Sequence, residues 1–271
     1  MRLALLGGGT IARLVLDHVS RGALPGIEIV CVVGRGPGSR SAGLAREYGI
    51  PYAAGAKSLH AFRPQVVLEA ASHDAVREEL EALLAAGISV VVMSAGALVD
   101  DALRATAEAA ADRSGALLYV PSGGIGALDS LKAACAAGVD EVSIAVAKPP
   151  AAWQGIAYVE ALDLDLGQLT GPKVLFEGTA REGVPHFPLN VNIAAALSLA
   201  GIGFDRTRLK VVADPSLSRN THVIDVSGTT GRFSITLENL PSPDNPKTAW
   251  LACYSALAAL RQMTSRVRYG T

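Results

Sequence analysis

The sequence predicts an α/β protein. An N-terminal Rossmann domain, built on a doubly wound parallel sheet, is followed by a second α+β domain with a mixed or antiparallel sheet. Three observations lead there. A short apolar run at the N-terminus ends in Gly7-Gly8-Gly9 and passes at once into a stretch of helical periodicity. From there to Pro121, continuous apolar runs alternate with amphipathic stretches, the pattern of parallel strands joined by helices. Beyond Pro121 comes a glycine-rich loop, then strands that alternate polar and apolar residues, two of them flanking Gly228-Thr229-Thr230-Gly231.

Composition narrows the class. A chain of 271 residues has room for two domains of ordinary size. It is 50% hydrophobic and 18% charged, so a sizeable core is expected and disorder is not. A net charge of −1 gives no electrostatic case for nucleic acid or an anionic membrane. Cys31, Cys135 and Cys253 lie far apart without a C-x-x-C spacing. They read as small buried hydrophobes in a reducing compartment, and no metal is expected. The glycines interrupt the first apolar run, so no signal peptide is expected. Nor does any run reach the roughly 18 apolar residues of a membrane span. A soluble cytoplasmic protein is the expectation.

The first turn sets the chemistry. Gly7, Gly9 and Ala12 fit G-x-G-x-x-G/A between a strand and a helix. Gly7 permits the turn, Gly9 lets a pyrophosphate approach the backbone, and Ala12 lets the helix pack closely. The N–H groups at the helix start, at Thr10 and Ile11, face the phosphates with the positive end of the helix dipole. Thr10–Arg21 is the first helix, with Ile11, Leu14, Val15 and Val19 on one stripe and His18 packed beside them. Glu28–Val33 is the second strand. Its end chooses the cofactor: an acid there bonds the ribose 2′-OH of NAD, and an Arg accommodates the 2′-phosphate of NADP. The strand ends Val33-Gly34-Arg35, with Arg40 further on. Arg35 is therefore either a 2′-phosphate contact, so that NADP is accepted, or a solvated loop residue.

A short helix at Ala42–Tyr48 and a short strand at Pro51–Ala53 follow. Strands are expected at Val66–Ala70, Ser89–Met93 and Leu117–Val120, and helices at Asp74–Ala86 and Asp100–Arg113. Ligands bind such sheets at the carboxyl ends of the strands, which places Ser72 and His73 on the cofactor rim. His73 either contacts cofactor or substrate or caps the next helix. In the second domain a helix is expected at Ala127–Ala137 and a strand through Val142, Ile144 and Val146. Further strands are expected at Lys173–Glu177, Leu209–Ala213, His222–Val226 and Arg232–Glu238, and an apolar helix at Asn190–Leu199. Asn245-Pro246 is expected to start a final helix whose stripe of Trp250, Cys253, Tyr254, Leu257 and Leu260 needs a partner. That partner is either the first domain or a dimer contact. The expected division is 1–121 for dinucleotide binding, completed by 246–271, and 122–245 for substrate and catalysis.

A dinucleotide domain joined to a second domain points to hydride transfer, with the second domain supplying a proton carrier. Histidine is the default carrier, and the candidates are His186 and His222. His222 sits at a loop-to-strand junction, where a polar side chain reaches a cleft, whereas His186 lies in a stiff turn between prolines.

Several second-domain stretches carry a more specific signal. Phe176–Glu182, Pro188–Ala195, Leu197–Gly201, Ala213-Asp214-Pro215 with Asn220-Thr221-His222, and Asn245–Thr248 together make the chain resemble the L-aspartate dehydrogenase family nearly end to end. The resemblance implies NAD(P)-dependent oxidation of L-aspartate to iminoaspartate, which hydrolyses to oxaloacetate and ammonia. It also implies the reverse amination and a supply of iminoaspartate to NAD biosynthesis. Carried over residue by residue, it puts the active-site histidine at His222 and the nicotinamide-side contacts at Gly124 and Asn192. The family usually has Ala at the position of Gly124, and it varies at the position of His186. An amide at Asn192 suits a carboxamide, offering both donor and acceptor. The two substrate carboxylates need cations or N–H donors, for which Lys148 and Arg181 are the candidates. A homodimer is expected. The competing readings are another two-domain reductase, dihydrodipicolinate-reductase-like or a sugar dehydrogenase for which Lys148-Pro149 would serve as acid/base, and a non-catalytic dinucleotide sensor.

Overall fold

The computed structural model describes residues 1–188, 190–242 and 245–269, with only the backbone described at 245–248. Leu189, Pro243, Asp244, Gly270, Thr271 and the side chains of 245–248 fall in stretches named above and lie outside the described residues. The chain forms two compact units: Met1–Pro121 with Cys253–Tyr269, and Ser122–Ala252.

In the first unit, strands β1 (Arg2–Leu6), β2 (Glu28–Gly34), β3 (Tyr52–Ala54), β4 (Val66–Glu69), β5 (Ser89–Val92) and β6 (Leu118–Tyr119) are all parallel. Their order is β3-β2-β1-β4-β5-β6, so the sheet reverses direction of growth between β1 and β4. That reversal opens a crevice at the carboxyl ends of the two strands. Helices α1 (Thr10–Ser20), α2 (Arg40–Tyr48), α3 (His73–Ala85) and α4 (Asp101–Ser114) connect the strands. Their starts are set by caps: Ser39 on α2, Ser72 on α3, and Asp100 on α4, whose carboxylate accepts from Ala102 N at 3.0 Å and Leu103 N at 3.1 Å. Ser72 takes the capping role left open for His73, which is instead the first helical residue.

In the second unit, strands β7 (Val139–Lys148), β8 (Lys173–Thr179), β9 (Thr207–Ala213), β10 (Asn220–Gly228) and β11 (Gly231–Asn239) form one sheet in the order β11-β10-β7-β9-β8. Only the β7–β9 pair is parallel, so the sheet is mixed, as expected. The hairpin turns at Gly228 and Gly231, which pair with each other. Helices α5 (Leu128–Ala137) and α8 (Asn192–Ala200) pack together, and the single turns α6 (Ala157–Glu160) and α7 (Ala180–Gly183) flank β8 in sequence. Alternation governs the inner face: Val142, Ile144 and Val146 of β7 and Ile224 and Val226 of β10 are buried. At one end of that face the buried residues turn polar, with Lys148 on β7 and Asn220 and His222 on β10.

The final helix departs from expectation. Residues Pro241–Ser242 (β12) and Asn245–Ala249 (β13) form a small antiparallel ribbon, and helix α9 begins only at Trp250. Pro246 therefore lies in a two-stranded ribbon, where a missing N–H is tolerated at an edge, rather than in a first helical turn. From Cys253 onward α9 belongs to the first unit. Its Ala256, Leu257, Ala259 and Leu260 join a core with Leu3, Leu5, Leu16 and Leu68. Each fully buried leucine there contributes about 1.5–3 kcal/mol. Tyr254 stays 40% exposed and meets the ring of His18 edge-on at 5.9 Å, so His18 is a packing residue. No helix among the described residues is long and apolar enough to cross a membrane.

Candidate active site

In the first unit the candidate site is the glycine turn between β1 and α1. Gly7 has φ +116°, and a Cβ there would stand 2.5 Å from the Ala70 carbonyl oxygen, so no other residue fits. Gly9 is the N-cap of α1, and no side chain caps that end. A Cβ at Gly9 would meet nothing within 4 Å, so the space before the helix start is open. The N–H groups of the first turn, Thr10 and Ile11 included, face that space with the positive helix end behind them. A cleft of about 400 Å³ runs from Gly7–Gly9 past Gly34, Arg35, Arg40 and Ser41 to Ala70–Ser72. An uncapped helix start, an open cradle, and arginines just after β2 (Arg35) and at the start of α2 (Arg40) fit a dinucleotide with its pyrophosphate on the turn.

Sequence reasoning missed the residue that shapes the cleft's other wall. Glu69, 1% exposed at the end of β4, accepts hydrogen bonds from Ala71 N at 2.8 Å, Ser72 N at 3.1 Å, Ser94 N at 2.9 Å and Ser94 Oγ at 2.9 Å. Burial pushes its carboxyl upward, against these hydrogen bonds, which pull it down. It ties the turn after β4, which lines the cleft, to the turn after β5. An acid inside an apolar strand gives no period signal, which is why it was not legible.

In the second unit the candidate site lies at the polar end of the mixed sheet. His222 is 2% exposed. Its Nδ1 lies 3.2 Å from the Gly124 carbonyl oxygen, which also accepts from Asn239 Nδ2 at 2.8 Å. Asn239 Nδ2 and His222 Nδ1 are 3.2 Å apart. A carbonyl can only accept, so the tautomer that avoids two lone pairs face to face is Nδ1–H, with both donors converging on one oxygen. That assignment leaves a lone pair on Nε2, which is buried and has no hydrogen-bond partner among the described residues. Burial, and then the positive charge of Lys148, push the imidazole down to about 4, while its contact with Gly124 pulls the other way. The neutral ring is therefore the resting form.

Lys148 is 3% exposed. Its Nζ donates to Asn190 Oδ1 at 2.9 Å and Asn190 O at 3.5 Å, and lies 5.1 Å from the Trp153 ring centre. No carboxylate pairs with it among the described residues. Burial lowers it to about 7. Trp153 is itself fixed, fully buried, with Nε1 donating to Val212 O at 3.0 Å. Asn192, half-buried at the start of α8, lies two residues beyond Asn190. The loop bearing Gly124 reaches the same turn, since a Cβ at Gly123 would stand 3.5 Å from Ile193 Cγ2. So Gly124, Lys148, Asn192 and His222 converge within the second unit, joined by Asn190, Trp153 and Asn239, which sequence reasoning did not single out.

Arg181 does not join them. On α7, after β8, it ion-pairs with Asp205 at 2.5 and 2.8 Å and lies over the Phe204 ring. Register puts it at the opposite end of the sheet: Lys148 and Lys173 both pair with Ala213, whereas Thr179, just before Arg181, pairs with Arg208. His186 stacks on Tyr158 at 4.3 Å, a packing contact. His73 starts α3 between Ser72 and Asp74, two residues lining the cleft of the first unit.

Two family models match the chain. Residues 7–121 match the family model described as homoserine dehydrogenase, NAD binding domain, and residues 129–263 match aspartate dehydrogenase, C-terminal. The chain is 48% identical over 206 residues, 76% of each chain, to the L-aspartate dehydrogenase of Methanosarcina acetivorans. It is 36% identical to that of Methanocella arvoryzae, covering 100% of this chain and 99% of the other. The crystal structure of aspartate dehydrogenase from Thermotoga maritima superposes with a TM-score of 0.77 at 26% identity, covering 100% and 99% of the two chains. With a buried histidine, an uncompensated lysine and a dinucleotide cleft on that fold, the chain belongs to the L-aspartate dehydrogenase family.

Proposed function

We propose that this protein catalyses the NAD(P)-dependent, reversible oxidative deamination of L-aspartate to iminoaspartate, and by hydrolysis to oxaloacetate and ammonia. The observation that carries the reading is His222: a neutral, buried imidazole, anchored through Nδ1, with Nε2 unpaired and Lys148 close enough to act on its charge. A bound dinucleotide supplies a hydride acceptor for Cα of the amino acid. The chain's own residues do the rest. Thr10 and Ile11 hold the pyrophosphate, and Ser72 lines its cleft. Asn192 and the Gly124 loop orient the carboxamide. Lys148 receives a substrate carboxylate.

His222 Nε2 takes a proton from the substrate ammonium, which frees the nitrogen lone pair. As the Cα–H bond breaks, that lone pair forms the C=N bond. A substrate carboxylate against Lys148 offsets the positive charge that weakens His222, so the base strengthens when substrate is present. Once Nε2 has released that proton to solvent, it takes one from the water that attacks the iminium carbon and passes it to the amine nitrogen, which leaves as ammonia as the carbonyl forms. Arg35, just after β2, and Arg40, at the start of α2, both line the cleft and support acceptance of NADP as well as NAD.

The test is reduction of NAD and NADP, assayed separately with L-aspartate; no turnover with either sinks the reading. We further infer a homodimer in the cytoplasm. The half-exposed Trp250 and Leu251 at the head of α9 offer an apolar contact, and three free cysteines suit a reducing compartment. Light scattering on the purified protein checks the first and cell fractionation the second.

A further inference from the structure

One polar side chain at the end of the mixed sheet has no part in the chemistry above. Asn220 is 3% exposed, and its Nδ2 has no hydrogen-bond partner among the described residues. An unmet buried amide costs about 1–3 kcal/mol, so a fold that keeps one has a use for it. Its place follows from register. His222 pairs with Val146 and Thr221 with Ala147, so Asn220, one residue earlier, stands level with Lys148 at the end of the ladder. Side chains two apart on a strand share a face, and so do directly opposed ones. Asn220 and His222 on β10, Lys148 on β7, and Asn239, which pairs with Asn220 on β11, therefore all project from one face of one sheet end. Around that end, among the described residues, stand a cation with no counter-ion, an amide donor with no acceptor, and an imidazole nitrogen with no donor.

We propose that Asn220 and Lys148 form a two-point receptor for one carboxylate of the substrate, making Asn220 a specificity-determining residue. Lys148 supplies charge and Asn220 a directed N–H, so one carboxylate satisfies both at once while His222 Nε2 faces the amine. The receptor selects a carboxylate over a carboxamide, because an amide brings no charge to Lys148. This rests on the aspartate dehydrogenase reading above.

The test uses two variants of the full chain. Asn220→Asp is nearly isosteric and places a permanent counter-ion opposite Lys148, occupying the receptor. Asn220→Ser shortens the donor without adding charge. Asn220→Asp is expected to raise the KM for L-aspartate about a hundredfold and Asn220→Ser about tenfold, the range for one charge-assisted hydrogen bond. Cofactor affinity, read by fluorescence quenching, should stay within about threefold. Calorimetric binding of succinate, a dicarboxylate with no amine to oxidise, should weaken in parallel, which a merely structural role for Asn220 does not predict. Wild-type KM and succinate affinity in folded Asn220→Ser would overturn the inference alone. Failure of the unaltered enzyme to oxidise L-aspartate with either cofactor would overturn the reading and the inference together.

Discussion

Glu69 and Ser94 are joined twice, through Ser94 N to Oε2 and Ser94 Oγ to Oε1, both at 2.9 Å. Through Oε1 the same carboxylate also holds the Ala71-Ser72 turn, so one buried acid braces two loops at the carboxyl edge of the parallel sheet. Glu69→Ala leaves the buried Ser94 amide without an acceptor and releases the turn. A loss of about 2–3 kcal/mol is expected in urea denaturation, with weaker dinucleotide binding. Glu69→Gln keeps one acceptor oxygen and should lose less. A stability change under about 0.5 kcal/mol for the alanine variant would contradict this bracing role.

His222→Ala removes the proposed proton carrier and leaves the glycine turn untouched. Turnover should fall about 10²- to 10⁴-fold, the usual worth of a positioned general base, with dinucleotide affinity unchanged. Stopped-flow turnover beside equilibrium cofactor titration checks both halves; near-normal turnover is incompatible with the role given to Nε2. The ring also has a stability signature. Its folded value of about 4 lies below the ordinary 6.5, so the unfolded chain binds the proton first as pH falls. The contribution is complete above about pH 6.5 and is lost as pH falls toward 4.

Lys148 shows the same sign in a different window. Its folded value is about 7 against an ordinary 10.5. Between these, the unfolded chain holds a proton that the folded chain has released, so stability rises with pH. The contribution is complete above about pH 10.5 and is lost as pH falls toward 7, with a limiting slope of about 1.4 kcal/mol per pH unit. Urea denaturation of the cofactor-free protein across this range should show the slope, and Lys148→Met should remove it. Equal pH profiles for the two proteins would show that Lys148 is not a buried, uncompensated cation.

Arg35→Ala should raise the KM for NADP about tenfold and change that for NAD less than twofold, since only NADP presents a 2′-phosphate to a guanidinium at the end of β2. Initial rates with both cofactors decide it. An equal effect on the two would make Arg35 a solvated loop residue.

Much of this was legible because it obeys local rules. The parallel sheet followed from unbroken apolar runs separated by amphipathic helices, and the turn at Gly7–Gly9 from the steric need for small residues there. His222 was legible from its loop-to-strand junction and from the motif around it. Asn220 was within reach too, since it lies two residues before His222 on the same strand. Counting back from the tight turn at Gly228–Gly231 would also have placed Asn239 opposite it. Other features were not legible. Glu69 interrupts an apolar strand with no periodic signature. The helical start assigned to Asn245-Pro246 failed because pairing with β12 outweighed the local preference of proline for a first turn.

The sequence alone determined the alternation of strands and helices, the glycine turn, the family motifs and the histidine. Each depends on residues close together along the chain. Only the tertiary structure decided which cation stands with that histidine. Lys148 and Arg181 are equally plausible as charges in a sequence, but strand register sends them to opposite ends of one sheet, where Arg181 meets Asp205 and Lys148, among the described residues, meets no carboxylate. The strength of a charge in a site depends on burial and partners, and both are set by residues distant in the chain.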